Sequence, residues 1–79
     1  MLHLRPKEFG LLALLAAHPG RAYTRVELLD RVWGSPRGTG RTVDVHVRWL
    51  RSRIESDPEQ SVTLVIVRGV GYRLDPVPR

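Results

Sequence analysis

Cysteine is absent from this chain of 79 residues. That excludes disulfides and thiolate metal sites, and it fits a reducing compartment without requiring one. Long apolar runs are absent too. The longest, Leu11 to Ala17, falls far short of the roughly 20 residues that span a bilayer. The N-terminus lacks a basic region followed by an apolar segment and a cleavage site, so the expectation is a cytoplasmic protein without membrane contact. Lysine occurs once, at Lys7, and acids are scarce, eight against thirteen basic residues. The resulting charge of +5, with pI near 11.1, points to an acidic partner. Because the basic residues other than Lys7 are arginines, that partner is one suited to bidentate phosphate and base-edge contacts.

Catalytic patterns are missing as well. His3, His18 and His46 show no ligand spacing. Ser35, Ser52, Ser56 and Ser61 lie in no nucleophile elbow. Gly38 and Gly40 lack a Walker lysine, and Glu55 and Asp57 read as surface acids. No enzyme activity, cofactor or metal is expected.

What is present is one folded domain over residues 1–79, since 42% hydrophobic content supports a core even at this length. Pro6 suits a first helical turn. From Lys7 to about His18 the chain is apolar almost all round, which predicts a first helix (about 6–18) buried on several sides as a central support. Thr24-Arg25-Val26-Glu27 is a capping box opening a second helix, about 25–33, with Gly34 as its C-terminal glycine. Ser35 to Gly40 is a loop. A third helix runs over about 41–56, and Glu59 to Ser61 is a polar connection. Val62 to Val67 is a β-branched strand, Arg68 to Gly71 a tight turn, and Tyr72 to Leu74 a short returning strand stopped by Pro76 and Pro78. Leu2-His3-Leu4 alternates like a strand end. The fold class is mainly α with a small β-hairpin over about 62–74, a three-helix winged helix-turn-helix.

The third helix, RTVDVHVRWLRSRI from Arg41, carries the functional signal. Val43, Val47, Leu50 and Ile54 make one apolar stripe, flanked by Arg51 and Arg53. Opposite lie Arg41, Val45, Arg48 and Ser52, with Thr42 and Trp49 towards one edge. Asp44 is the only acid between Arg41 and Arg53. A major groove admits one helix, where arginine reads guanine and a small apolar group such as Val45 meets the thymine methyl. The bland alternative pairs Asp44 with Arg48 at i,i+4 on a solvated face; the shortage of balancing acids and the basic hairpin tip favour nucleic acid. Arg68 beside Gly69 suits a minor groove. Trp49 either packs against the hairpin strands or lies along a nucleic-acid backbone, packing being favoured. Trp33 and Tyr72 read as core or rim, although a tyrosine hydroxyl also donates to phosphate.

On the blocks LRPKEFGLLALLAAHPGR, TRVELLDRVWG, RTVDVHVRWLRSRIE and VRGVGYRL, the chain resembles the OmpR/PhoB-type effector domain of two-component response regulators from about Leu4 to Leu74. The resemblance implies a third helix in the major groove of double-stranded DNA and a wing in the neighbouring minor groove. It implies DNA contacts for Arg41, Thr42, Arg48 and Arg51, with Val45 and His46 at the groove surface. Arg68 corresponds to the wing arginine and Tyr72 to a wing tyrosine near the backbone. The loop Gly34 to Gly40 matches a segment that some members use to contact RNA polymerase, and homodimers on tandem sites are implied.

Four departures stand out. Arg5 replaces the usual threonine cap of the first helix. Trp49 replaces a second consecutive arginine, and Ile66 a wing threonine. Only Leu2 to Leu4 corresponds to the four-stranded sheet that opens the family's effector domain, and no receiver domain is present, as in a fragment or a shortened natural version. The function expected is sequence-specific DNA binding in transcription regulation; the alternatives are a protein-interaction module and a non-specific nucleic-acid-binding winged helix. With the first helix uncovered, apolar surface is expected to cause marginal stability or self-association. A monomer in sedimentation with a sharp, high-temperature melt would remove that expectation.

Overall fold

The computed structural model describes residues 4–35, 37–59 and 62–76. Leu2, His3, Pro36, Gln60, Ser61 and Pro78 lie outside the described residues, and with them most of the proposed first strand and of the polar connection.

Helix α1 spans Pro6–Ala17, with proline at its first position, where the missing N–H costs nothing. Arg5 offers no side-chain acceptor to the first turn. Glu8 supplies the half of the cap that remains available, accepting the Arg5 backbone N–H at 3.2 Å. The helix buries Leu11, Leu15 and Glu8 but leaves Phe9 63% exposed. Burial on several sides is therefore not what the structure has. The second and third helices and the last strand all meet α1 along one side, so its outer apolar residues face water.

A strand follows that the sequence did not announce: β1, Tyr23–Thr24. Two residues are too short for an alternation signal. Helix α2, Arg25–Trp33, starts on the expected reciprocal cap. Thr24 Oγ1 accepts the Glu27 N–H at 3.1 Å, and Glu27 Oε1 accepts the Thr24 N–H at 3.0 Å. It ends at Gly34, whose φ of +78° lies in the left-handed region where glycine pays no Cβ penalty.

Helix α3 spans Gly40–Glu55, beginning one residue before Arg41. Its stripe Val43, Val47, Leu50 and Ile54 is buried against α1, α2 and strand β2. β2 (Val62–Val67) and β3 (Gly71–Pro76) form the hairpin, in register Leu64 with Leu74 and Ile66 with Tyr72. The turn closes with the Val70 N–H donating to the Val67 carbonyl at 3.0 Å. Pro76 does not stop β3 short; it is the strand's last residue, opposite Val62 at the sheet end, where a missing N–H breaks no inner rung. The sheet is three-stranded, in order β1-β3-β2, all antiparallel. Gly71 permits this. A Cβ there would overlap the Tyr23 carbonyl oxygen, so β1 and β3 approach as closely as they do only over glycine.

Glu8 is the one buried charge among the described residues, fully inaccessible beneath α3. Arg53 Nε donates to its Oε2 at 3.1 Å, tying the start of α1 to the end of α3. A buried carboxylate is tolerated only when paired, and here the pair also fixes the crossing of two helices. Because Arg53 remains partly solvated, Glu8→Gln is expected to cost about 1–3 kcal/mol. Urea denaturation checks this; an unchanged midpoint would show that the pair carries no weight.

Candidate nucleic-acid interface

The buried stripe of α3 dictates what its opposite face can present. Arg41, Arg48, Ser52 and Trp49 are exposed there, while Thr42, Val45 and His46 are half-buried. Arg41 and Arg48 have no carboxylate within ion-pair distance among the described residues. Arg51 differs: its Nε donates to Glu55 Oε1 at 3.0 Å across one helical turn. Arg68 is exposed at the wing tip, next to Gly69 at φ +78°.

Asp44 does not form the surface pair with Arg48 that its spacing allowed. Its Oδ1 accepts from Arg25 Nε at 2.8 Å and from the Tyr72 hydroxyl at 2.5 Å. One carboxylate thus joins the first residue of α2, the first turns of α3 and strand β3. Partial burial pushes the Asp44 carboxyl up, but the Tyr72 and Arg25 hydrogen bonds and the charges of Arg25 and Arg48 outweigh this and hold it below the usual range. Burial, then Asp44, raises the Tyr72 hydroxyl. The Asp44 bond and charge raise the Arg25 guanidinium further. Tyr72 is only 7% exposed. Its hydroxyl is engaged inside the protein, in keeping with the core reading and at odds with its use as a phosphate donor.

His46 is held from two sides. Its Nδ1 donates to the Thr42 carbonyl at 2.8 Å, and the rings of Trp33 and Trp49 meet it edge-on at 5.0 and 5.1 Å. Trp49 therefore does not pack under the wing. It lies on the opposite flank of α3, 40% exposed, with the Arg5 guanidinium stacked over its ring at 4.2 Å. The wing side of α3 is occupied by Asp44, Val47 and Arg48 facing Ile66 and Tyr72. The helical spacing could not distinguish these flanks, because both are equally far from the core stripe.

In the loop from Gly34 to Gly40 the Arg37 N–H donates to Ser35 Oγ at 3.2 Å, and Gly40 already belongs to α3. Two cations went unnoticed in the sequence, Arg25 and Arg5, since each reaches this surface from a different helix. Among the described residues no group of His, Cys, Asp or Glu could hold a metal, and no helix is long and apolar enough to cross a membrane.

Comparison with known proteins gives a consistent picture. The family described as "Transcriptional regulatory protein, C terminal" matches residues 1–74. The chain is 50% identical over 74 residues to the alkaline phosphatase synthesis transcriptional regulatory protein SphR of Synechococcus elongatus, a match covering 92% of this chain and 29% of that protein. The chain thus spans about a third of the length of the curated relatives it matches. Among solved structures it resembles the DNA-binding domain of the response regulator AdeR in complex with an intercistronic region, at TM-score 0.83 and 38% identity, covering 94% of this chain and 74% of that one. It also resembles the Klebsiella pneumoniae RstA DNA-binding domain in complex with the RstA box, at TM-score 0.81 and 30% identity, covering 96% and 76%. The three helices with a projecting hairpin are a winged helix-turn-helix.

The Asp44 network predicts a pH dependence. A carboxyl with a folded-state pKa below its unfolded value stabilises the fold above about pH 4, and that contribution is lost as pH falls through the folded value. Asp44→Asn should therefore be less stable than the parent near neutrality, with the gap closing as pH falls below about 4. Melting curves across that range check it, and parallel curves for the two proteins would show that Asp44 does not contribute through its charge.

Proposed function

The chain belongs to the family of C-terminal domains of transcriptional regulatory proteins, and on that footing we propose that residues 1–79 act as one sequence-specific double-stranded DNA-binding domain, the effector part of a two-component response regulator. The observation that carries this reading is the outer face of α3, where Arg41 and Arg48 stand without carboxylate partners among the described residues, beside a wing ending in Arg68. Such an arrangement releases counterions when it meets phosphates and offers bidentate donors to base edges.

In this reading α3 enters the major groove. Arg41 and Arg48 supply the main contacts, and Thr42, Val45 and His46 line the groove surface. Arg51 joins by exchanging Glu55 for a phosphate, at small cost, because an exposed i,i+4 pair is worth only about 0.3–0.5 kcal/mol. Arg68 enters the neighbouring minor groove. Tyr72 serves as a brace: its hydroxyl holds Asp44, which holds Arg25 at the surface. No chemical step is involved. The domain works in the cytoplasm, pairs with a second copy on tandem sites, and presents the loop Gly34 to Gly40 to RNA polymerase. A protein-interaction role through α1 has one observation in its favour, the exposure of Phe9.

Selection of duplexes from a random pool, followed by titration, separates these readings. Affinity for the selected duplex should fall steeply with salt. Arg48→Ala is expected to cost about 1–3 kcal/mol of binding. Equal affinity for random and selected duplexes, or indifference to salt, would overturn the DNA reading; unchanged affinity of Arg48→Ala would remove that residue from it.

A further inference from the structure

The row of outward residues on α3 does not end at Arg48. Trp49, Ser52 and Ser56 continue it, at four, seven and eleven residues beyond Val45, and all three are exposed. Together with Arg5 and Arg53 they line an open notch at the C-terminal end of the helix. From this arrangement we propose that the notch is a second DNA-backbone site, in which Arg5, carried by α1, contacts a backbone phosphate beyond the edge of the major groove.

Helix length makes the contact geometrically reasonable. The 16 residues of α3 extend about 24 Å at 1.5 Å each, against a major groove about 12 Å wide. A helix of that length set at an angle to the groove carries one end past the base edges towards a flanking strand. The C-terminal end of a helix carries partial negative charge, which alone would repel phosphate. Cations offset that charge: Arg53 lies in the last turn of α3, and Arg5, at the start of α1, comes in beside the Trp49 indole.

Arg5 fills that place from outside. Its guanidinium lies 4.2 Å from the centre of the Trp49 ring, and its side chain is 55% exposed. Stacking restrains a long side chain without neutralising it. No carboxylate lines the notch. Among the described residues, Glu8 lies buried beside it and is engaged by Arg53 at 3.1 Å, with Arg5 Nε 3.8 Å away, and Glu55 on the same helix end is taken up by Arg51 at 3.0 Å. Two arginines thus share one carboxylate, leaving an excess positive charge on the exposed partner. The Ser52 hydroxyl adds a polar group to the lining. The Ser56 hydroxyl, donating to the Arg53 carbonyl at 2.9 Å, retains its acceptor side only. Charge complementarity and continuity with the outer face of α3 identify a phosphodiester of the bound duplex as the occupant.

This inference rests on the DNA-binding reading above, and the test keeps the two apart. The 79-residue chain, Arg5→Ala and Arg5→Lys would be titrated against selected and random duplexes at several salt concentrations, with thermal melts alongside. Arg5→Ala should weaken binding on the order of tenfold at low salt, equally for both duplexes, and lower the salt slope by about 1. Arg5→Lys should recover part of the slope. A folded Arg5→Ala protein with unchanged affinity and slope would overturn the proposal while the parent's own binding stands; a parent that binds no duplex would remove the reading beneath it. Should Arg5→Ala not fold, Ser52→Asp tests the same notch, by like-charge repulsion. Its affinity falls if a phosphate lies there, and is retained, against the proposal, if the duplex ends short of it.

Discussion

Everything that faces outward on this domain depends on where Asp44 is tied. The buried stripe Val43, Val47, Leu50 and Ile54 holds α3 in the core by close packing, which has no directional bond to either neighbour. The Asp44 carboxylate adds that direction. By accepting from Arg25 and Tyr72 together, it fixes α3 against α2 on one side and against β3 on the other. Charge-assisted bonds are directional where apolar packing is not. The spatial relation between helix face and wing is set by this carboxylate as much as by the core. The Glu8–Arg53 pair performs the same office at the far end of α3, against α1.

The distribution of arginines follows from these ties. Arg25 and Arg53 are paired with acids that also hold elements in place, and Arg73 is paired with Asp75 along its own strand. Arg41, Arg48 and Arg68 have no such partner among the described residues. Eight acids against thirteen basic residues therefore do not spread evenly over the molecule. Five of the acids, Glu8, Glu27, Asp44, Glu55 and Asp75, are engaged in ion pairs, and Arg41, Arg48 and Arg68 keep their charge on α3 and the wing. A surface of that kind attracts polyanions at long range and weakens with ionic strength.

Most of this was legible in the chain before any coordinates. The capping box at Thr24, the αL glycine at position 34, the apolar stripe of α3 and the β-branched run from Val62 each reflect a local rule, and local rules survive folding. What escaped was settled by neighbours distant in sequence. The two residues of β1 have no pattern of their own and are strand only because β3 pairs with them. The spacing of Asp44 and Arg48 allows a local pair, the reading the sequence disfavours, but it gives no sign that Arg25, on another helix, is the partner. Trp49 was assigned to the wrong flank for the same reason, and Arg5 looked only like a poor helix cap. The near-uniform apolar character of α1 suggested burial on several sides, whereas the described neighbours cover only one.

The crossing of β1 and β3 over Gly71 has one more implication, for the way the chain closes. Thr24 pairs with Gly71 and Tyr23 with Tyr72, so α2, α3 and β2 all lie inside a single loop sealed by two rungs. The β2–β3 hairpin involves contacts near in sequence; this seal is among the most non-local in the molecule and its closure entropy is correspondingly high. It is also what brings β3 against the start of α2, and so brings Tyr72 within reach of Asp44 and Arg25. The hairpin can form by itself, but its angle to α3 exists only once the ring is shut, which makes the reading surface a property of the chain's topology and not of any one of its elements.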